Sequence, residues 1–79
     1  MRLKVTSLQK IEYEGEIRSF NVKTEIGEIT ILDNHRPLIT ILKPCLAVIT
    51  DSNNNKKEIE ITSGFLEMNQ KNELNVLVD

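Results

Sequence analysis

Few side chains in this 79-residue chain offer reaction chemistry. The single histidine, His35, lies in Asp33-Asn34-His35-Arg36, a polar stretch closed by Pro37 between two apolar runs. The single cysteine, Cys45, sits between Pro44 and Leu46. A Cys–His pair can serve as nucleophile and base. A metal site would need further ligands at structured spacing, and these two residues supply none. Cys45 enters an apolar run, where cysteine usually acts as a small hydrophobe. Carboxylates recur at Glu12, Glu14 and Glu16, and at Glu58 and Glu60. Their alternation with Tyr13, Ile59 and Ile61 is that of a solvated strand face rather than of an acid–base pair. Gly15, Gly27 and Gly64 stand apart, so no loop is built to cradle phosphate. The residue types therefore predict a non-enzymatic domain, with no catalytic, cofactor-binding or metal-ligating residue.

The composition narrows the class further. Net charge is −2, from 12 acidic and 10 basic residues. Nucleic-acid binding calls for a basic footprint, which is missing. Tyr13, Phe20 and Phe65 are scattered and make no stacking platform. One thiol cannot close an internal disulfide. The first residues, Met1-Arg2-Leu3-Lys4-Val5, alternate polar and apolar, unlike a signal peptide. No run approaches the roughly 20 apolar residues that span a bilayer, so direct membrane insertion is not expected. A cytosolic compartment, or a cytosolic face, is the expectation. A domain this small buries only about 60% of the surface its unfolded chain exposes, so any apolar face left over is a candidate partner surface.

The elements that position these residues read as strands. Leu3 and Val5 alternate with Arg2, Lys4 and Thr6, Ile29 and Ile31 with Glu28 and Thr30, and Ile59 and Ile61 with Glu58, Glu60 and Thr62; Leu66 and Met68 bracket Glu67, and Leu74, Val76 and Val78 bracket Asn75 and Leu77. Period 2 and β-branched content favour strands over helices. Between Ile17 and Val22 the apolar side shifts midway, as at a bulge. Turn signals fall at Glu14-Gly15, Ile26-Gly27, Asp33-Asn34, Lys43-Pro44, residues 51–57, Ser63-Gly64 and residues 69–72. The Asp51-Ser52-Asn53-Asn54-Asn55 stretch reads as a hairpin tip. The expected fold is all-β: eight to ten short strands in a small sandwich of two packed, mainly antiparallel sheets. A small closed barrel is the alternative.

Two runs depart from the half-buried pattern. Leu38-Ile39-Thr40-Ile41-Leu42 and Leu46-Ala47-Val48-Ile49 are apolar on both faces. Either they are buried at a corner or under a loop, or their outer faces dock another protein.

The order of these fragments carries a resemblance. Gly27-Glu28-Ile29-Thr30-Ile31-Leu32-Asp33-Asn34-His35-Arg36-Pro37-Leu38 is followed by Lys43-Pro44-Cys45, by Ser63-Gly64-Phe65-Leu66-Glu67-Met68 and by Asn75-Val76-Leu77-Val78-Asp79. Glu14-Gly15-Glu16-Ile17 stands upstream. Over its whole length the chain resembles the N-terminal β-sandwich domain of the epsilon subunit of F-type ATP synthase, called delta in mitochondria. The family's Pro-Gly before the histidine is Asp33-Asn34 here. Asn tolerates the left-handed turn best after Gly, so the loop shape is expected to survive. Cys45 stands where the family has Gly after Lys-Pro, and Ser63-Gly64 where it has two glycines.

The resemblance implies a non-catalytic rotor subunit of the central stalk, without a cofactor. It would bind the gamma subunit and the c-ring and help couple ion translocation to ATP synthesis, peripherally, at the cytoplasmic face of the cell membrane. It further implies a c-ring-facing loop containing Glu28, Asp33, Asn34, His35 and Arg36, and a gamma-binding surface containing Leu38, Ile39, Ile41, Leu42, Leu46 and Val48. Residues 1–79 would form one domain lacking the family's C-terminal helical hairpin, as a cut-down or naturally short form. Braking of hydrolysis and ATP sensing by that hairpin are therefore not expected of these residues. The rival readings are a free-standing β-sandwich adaptor or ligand-binding module, and a small hydrolase using Cys45 and His35.

Overall fold

The computed structural model describes residues 1–79. Eight strands and no helix make up the chain: β1 (Arg2–Thr6), β2 (Ile11–Thr24), β3 (Gly27–Leu32), β4 (Leu38–Leu42), β5 (Cys45–Asp51), β6 (Lys56–Ile61), β7 (Gly64–Met68) and β8 (Glu73–Val78). The strands form two layers that share β2. In the first layer β2 pairs with β1, β1 with β8, β8 with β7 and β7 with β4. In the second, the later half of β2 lies between β3 and β5, and β5 carries β6. All pairings are antiparallel except β1 with β8. One further pairing, Thr24 opposite Leu42, joins β2 to β4 and closes the first layer into a ring. The sandwich thus carries a trace of the barrel alternative.

The alternation seen in the sequence decides which side chains meet between the layers. Leu3, Val5, Leu66, Met68, Leu74 and Val76 enter from the first layer, and Phe20, Val22, Ile31, Ala47, Ile49 and Ile61 from the second; all are buried. Residues i and i+2 share a face, so each short strand delivers two or three core residues and shows the rest outward. The predicted shift of apolar side in β2 is a bulge: the pairing with β5 skips between Ile17 and Ser19. It lets Ile17 and Phe20, three apart, both point inward.

The turns follow their chemistry. Asn34, Asn54 and Asn72 each take positive φ, near 60°, as Asn can in a turn. In the β5–β6 tip the Asp51 carboxylate accepts the N–H groups of Asn53 at 2.8 Å and Asn55 at 3.0 Å. The expected turn at Glu14-Gly15 is not formed. Both residues lie inside β2, with Gly15 opposite Leu3. The register with β1 runs unbroken through Glu14, Gly15 and Glu16, so the glycine continues the strand rather than reversing it. The first reversal lies earlier, at Ser7–Lys10, where the Ser7 hydroxyl donates to the Lys10 carbonyl at 3.1 Å.

Gly64 opens β7 at φ 153°, and a Cβ built there would stand 2.0 Å from the Leu77 carbonyl oxygen. A methyl group at this position collides with backbone, which has no flexible end to yield. Gly64→Ala is expected to destabilise the fold by about 3 kcal/mol through overpacking. Urea unfolding followed by circular dichroism, compared with Ala in place of exposed Gly27, separates the collision from the loss of a positive φ alone.

Candidate functional site

Of the six apolar candidates on β4 and β5, the sheet divides rather than gathers them. Leu42 is a core residue, 3% exposed, and half-buried Leu38 packs against the core. Both are therefore removed from the outer surface, because they share the inward parity of Thr40. Ile39 and Ile41 point outward from the first layer. Leu46 and Val48 point outward from the second, opposite Glu60 and Glu58. The two-faced runs thus combine both explanations: one face of each strand is core, and the other is open on opposite sides of the sandwich.

On the first layer the open positions align. Ile41 stands opposite Phe65, Phe65 opposite Leu77, Leu77 beside Thr6, and Thr6 opposite Ile11. This cross-strand row runs over five strands. Ile41 is 54% exposed, Phe65 44% and Leu77 46%. Ile39 extends the patch along β4, and Leu8, almost fully exposed, borders it beside Phe65 and Leu77. Scattered surface hydrophobes are ordinary, whereas a row that is apolar at every strand but β1, where Thr6 stands, is a candidate contact surface. Phe65, Leu77, Leu8 and Ile11 were not among the candidates. Their signal lies in register, which period 2 within single strands does not reveal. The second layer's outer face is mixed: Leu32 and Leu46, both more than half exposed, stand among polar neighbours, Leu32 opposite Ser19 and Leu46 opposite Glu60. Val48 lies among Glu58 and Asn21, and the Asn21 amide donates to the Thr30 hydroxyl at 2.8 Å.

The five polar candidates also separate. Glu28 is the second residue of β3, exposed, opposite Lys23 near the β2–β3 turn. Asp33 to Arg36 follow the other end of β3, about 15 Å away at the rise of an extended strand. The β2–β3 turn is firmly built: the Thr24 hydroxyl donates to the Gly27 carbonyl at 2.8 Å and accepts from the Ile26 N–H at 3.1 Å. In the β3–β4 loop the His35 N–H donates to the Leu32 carbonyl at 3.2 Å, and His35 Nδ1 lies 2.8 Å from the Arg36 carbonyl. That carbonyl only accepts, so Nδ1 carries the proton. His35 shapes its turn, and Arg36 is exposed.

Asp33 turns inward to the chain's own start. Its carboxylate receives the Met1 ammonium at 2.5 Å, and the Glu16 carboxylate lies 3.4 Å from the same ammonium. The hydrogen bond from the ammonium holds the Asp33 carboxyl below its ordinary value. The hydrogen bond to Asp33 holds the amine above its own, against the cost of desolvation. His35 and Cys45 lie at opposite ends of β4, separated by at least about 13 Å of strand. Cys45 packs half-buried against the core. No group of three or more His, Cys, Asp or Glu side chains is placed to hold a metal ion. No helix is long and apolar enough to cross a membrane.

These features define a small β-sandwich whose prominent surface is an apolar sheet face. The chain belongs to the family of the ATP synthase delta/epsilon chain β-sandwich domain, whose model matches residues 1–79. It is 38% identical over 68 residues to the ATP synthase epsilon chain of Aquifex aeolicus, covering 86% of this chain and 50% of that one. It is 35% identical over 79 residues to the epsilon chain of Xanthomonas euvesicatoria, covering 100% of this chain and 56% of that one. The chain spans about half the length of these curated relatives. Its fold matches a chain in the Euglena gracilis mitochondrial ATP synthase OSCP/F1/c-ring structure, with TM-score 0.90, 18% identity, and coverage of 96% of this chain and 48% of that one. A chain of the Tetrahymena thermophila mitochondrial ATP synthase central stalk/c-ring structure matches with TM-score 0.83, 16% identity, and coverage of 99% and 62%.

The Met1–Asp33 pair sets a pH window. A lowered carboxyl contributes stability that is present above its ordinary value of 3.8 and lost as pH falls through the depressed folded value. A raised amine contributes stability that is complete below its ordinary value of 8.0 and lost as pH rises through the raised folded value. Asp33→Asn is therefore expected to lower Tm most between about pH 4 and pH 8, with the difference from the parent shrinking at both extremes. Thermal melts from acid to alkaline pH check this. High salt should reduce the mid-range difference, because the pair is partly exposed.

Proposed function

We propose that this chain is a non-catalytic docking domain of the ATP synthase central stalk. The outer face of the first layer binds the gamma subunit. The β2–β3 turn, with Glu28, meets the polar loops of the c-ring. As part of the rotor, the domain helps couple ion translocation to ATP synthesis and works peripherally, at the cytoplasmic face of the cell membrane. The observation that carries this reading is the apolar row from Ile11 to Ile41, in a chain that matches the epsilon-type sandwich over its full length. The names of its relatives support the complex, and the structures sharing its fold are titled as F1/c-ring and central-stalk assemblies.

The residues assign themselves to these roles by availability. The Asp33 carboxylate and the Asn34 N–H are occupied within the chain, whereas Glu28 is exposed in β3 beside the β2–β3 turn. Glu28 is thus the better candidate for a charged contact with a ring loop. Ile39 and Ile41 keep their place on the gamma-facing surface and gain Phe65, Leu77 and Leu8. Leu46 and Val48 lie on the far side.

Co-expression with the gamma subunit of the same organism, followed by size-exclusion chromatography, tests the reading. A one-to-one complex is expected. Two folded proteins that elute separately at micromolar concentration would favour a free-standing adaptor. Combined Ile41→Ser and Phe65→Ser should weaken the complex by at least about 30-fold, the loss typical of a central apolar anchor. Leu46→Ser should leave affinity unchanged; a loss there and not at Ile41 and Phe65 would move gamma to the other face.

A further inference from the structure

Beside the apolar row, the outer face of the first layer changes character. Two residues along the strands stand Ile39, Glu67 and Asn75, opposite one another, and beyond them Asn69 and Glu73 flank the β7–β8 turn. Between these positions and the turn the surface opens into a groove of about 660 Å³. Pro37, Leu38, Ile39 and Met68 give it an apolar wall, and Glu67 and Glu73 bring two exposed acidic side chains to it. The bounding turn is braced. The Asn69 N–H donates to the Glu73 carbonyl at 3.0 Å, and Asn69 Oδ1 accepts the N–H groups of Lys71 at 2.8 Å and Glu73 at 3.1 Å. The Asn69 amide also donates to Glu73 Oε1 at 2.9 Å, which holds that carboxylate at the rim. Glu67 takes part in none of the chain's ion pairs. The nearby cations do not neutralise it. Lys71 lines the groove without pairing to either carboxylate, Lys4 stands beside Asn75 on the next strand, and Arg2 is engaged by Glu14 at 3.3 Å.

We propose that this groove receives a lysine or arginine side chain of the subunit that covers the apolar row, with Glu67 as the receptor of its charge. The proposal rests on the gamma-binding reading and names the chemistry that sets orientation on that face. Two features select this occupant. Ile39 belongs both to the groove and to the apolar patch, so a partner seated on Ile41 and Phe65 also covers Glu67. Covering an unpaired carboxylate costs free energy unless a cation arrives with the partner. A basic side chain can lay its aliphatic stem along Pro37, Leu38 and Ile39 and place its head at Glu67, with the second oxygen of Glu73 as a further acceptor. An acidic or purely apolar segment in the same place would leave Glu67 buried and unpaired, so the contact also rejects wrong registers.

The test measures the affinity of the gamma subunit of the same organism for the parent chain, Glu67→Gln and Glu67→Lys, at about 50 mM and about 500 mM salt. Glu67 is exposed, so both variants should keep the parent's circular dichroism. Glu67→Gln is expected to weaken binding by about fivefold or more at low salt and to make affinity less sensitive to salt than the parent's. Glu67→Lys should weaken it further, because two cations then meet. Glu60→Gln, on the second layer, should leave affinity unchanged. If Glu67→Gln or Glu67→Lys binds as well as the parent, while the combined Ile41→Ser and Phe65→Ser variant loses affinity, the inference is overturned and the gamma-binding reading stands. If the folded parent forms no complex with gamma, both fall.

Discussion

β2 must serve two sheets at once, and most of the architecture follows from that demand. A strand of 14 residues is too long for one layer of a domain this small, so it leaves β1 and continues between β3 and β5. Gly15 lies in the strand before the crossing, and the bulge between Ile17 and Ser19 follows it. The bulge costs ladder regularity, but it turns Phe20 into the core. Burying one large aromatic side chain stabilises by about 3 kcal/mol, which favours the bulged register over the regular one. A one-residue slip would instead place Arg18 and Ser19 among apolar neighbours. The same path brings Thr24 opposite Leu42, where the first layer closes.

Closure has a consequence for the surface. The inward positions of β4, β7, β8 and β1 are used by the core, and the outward ones become fixed relative to one another by the ladders between them. Ile41, Phe65 and Leu77 are then spaced by the strand repeat of about 4.8 Å rather than by loop geometry. A surface set by backbone pairing holds its shape without a partner, so little conformational entropy is lost when one binds. The edge at β6 is guarded differently: Lys56, Lys57, Glu58 and Glu60 make it highly charged, which discourages strand addition there.

The sequence makes the strands legible because alternation is a local property. Leu3 with Val5, Ile59 with Ile61 and Leu66 with Met68 announce their inward faces without tertiary information. The bulge in β2 is legible for the same reason, as a break in parity. Glu14-Gly15 reads as a turn yet lies inside β2, because a glycine within a strand carries the same local signature as one at a reversal. The face a candidate belongs to is less legible still. Ile39 and Leu46 look alike in sequence, and only pairing of β4 with β7 and of β5 with β6 sends them to opposite sides. Glu28 and His35 look like one loop because they are close in sequence, yet β3 holds them at its two ends. Asp33 reads as a loop carboxylate, while its partner is 32 residues away at the amino terminus.

The division of charged and apolar residues bears on load transmission. Exposed ion pairs contribute little and are screened by salt, so under the proposed rotor role a contact that carries load would not rest on Glu28 alone. A row with apolar residues on four of five hydrogen-bonded strands would spread a lateral force through the ladders of the first layer. The Thr24–Leu42 closure passes part of it into β2 and from there to the second layer. A charged residue at the exposed start of a strand is better suited to orientation, since like charges in the wrong register repel while a correct pairing adds little affinity. The apolar face would then hold the domain to its neighbour in the stalk, and Glu28 would set how the assembly sits on the ring.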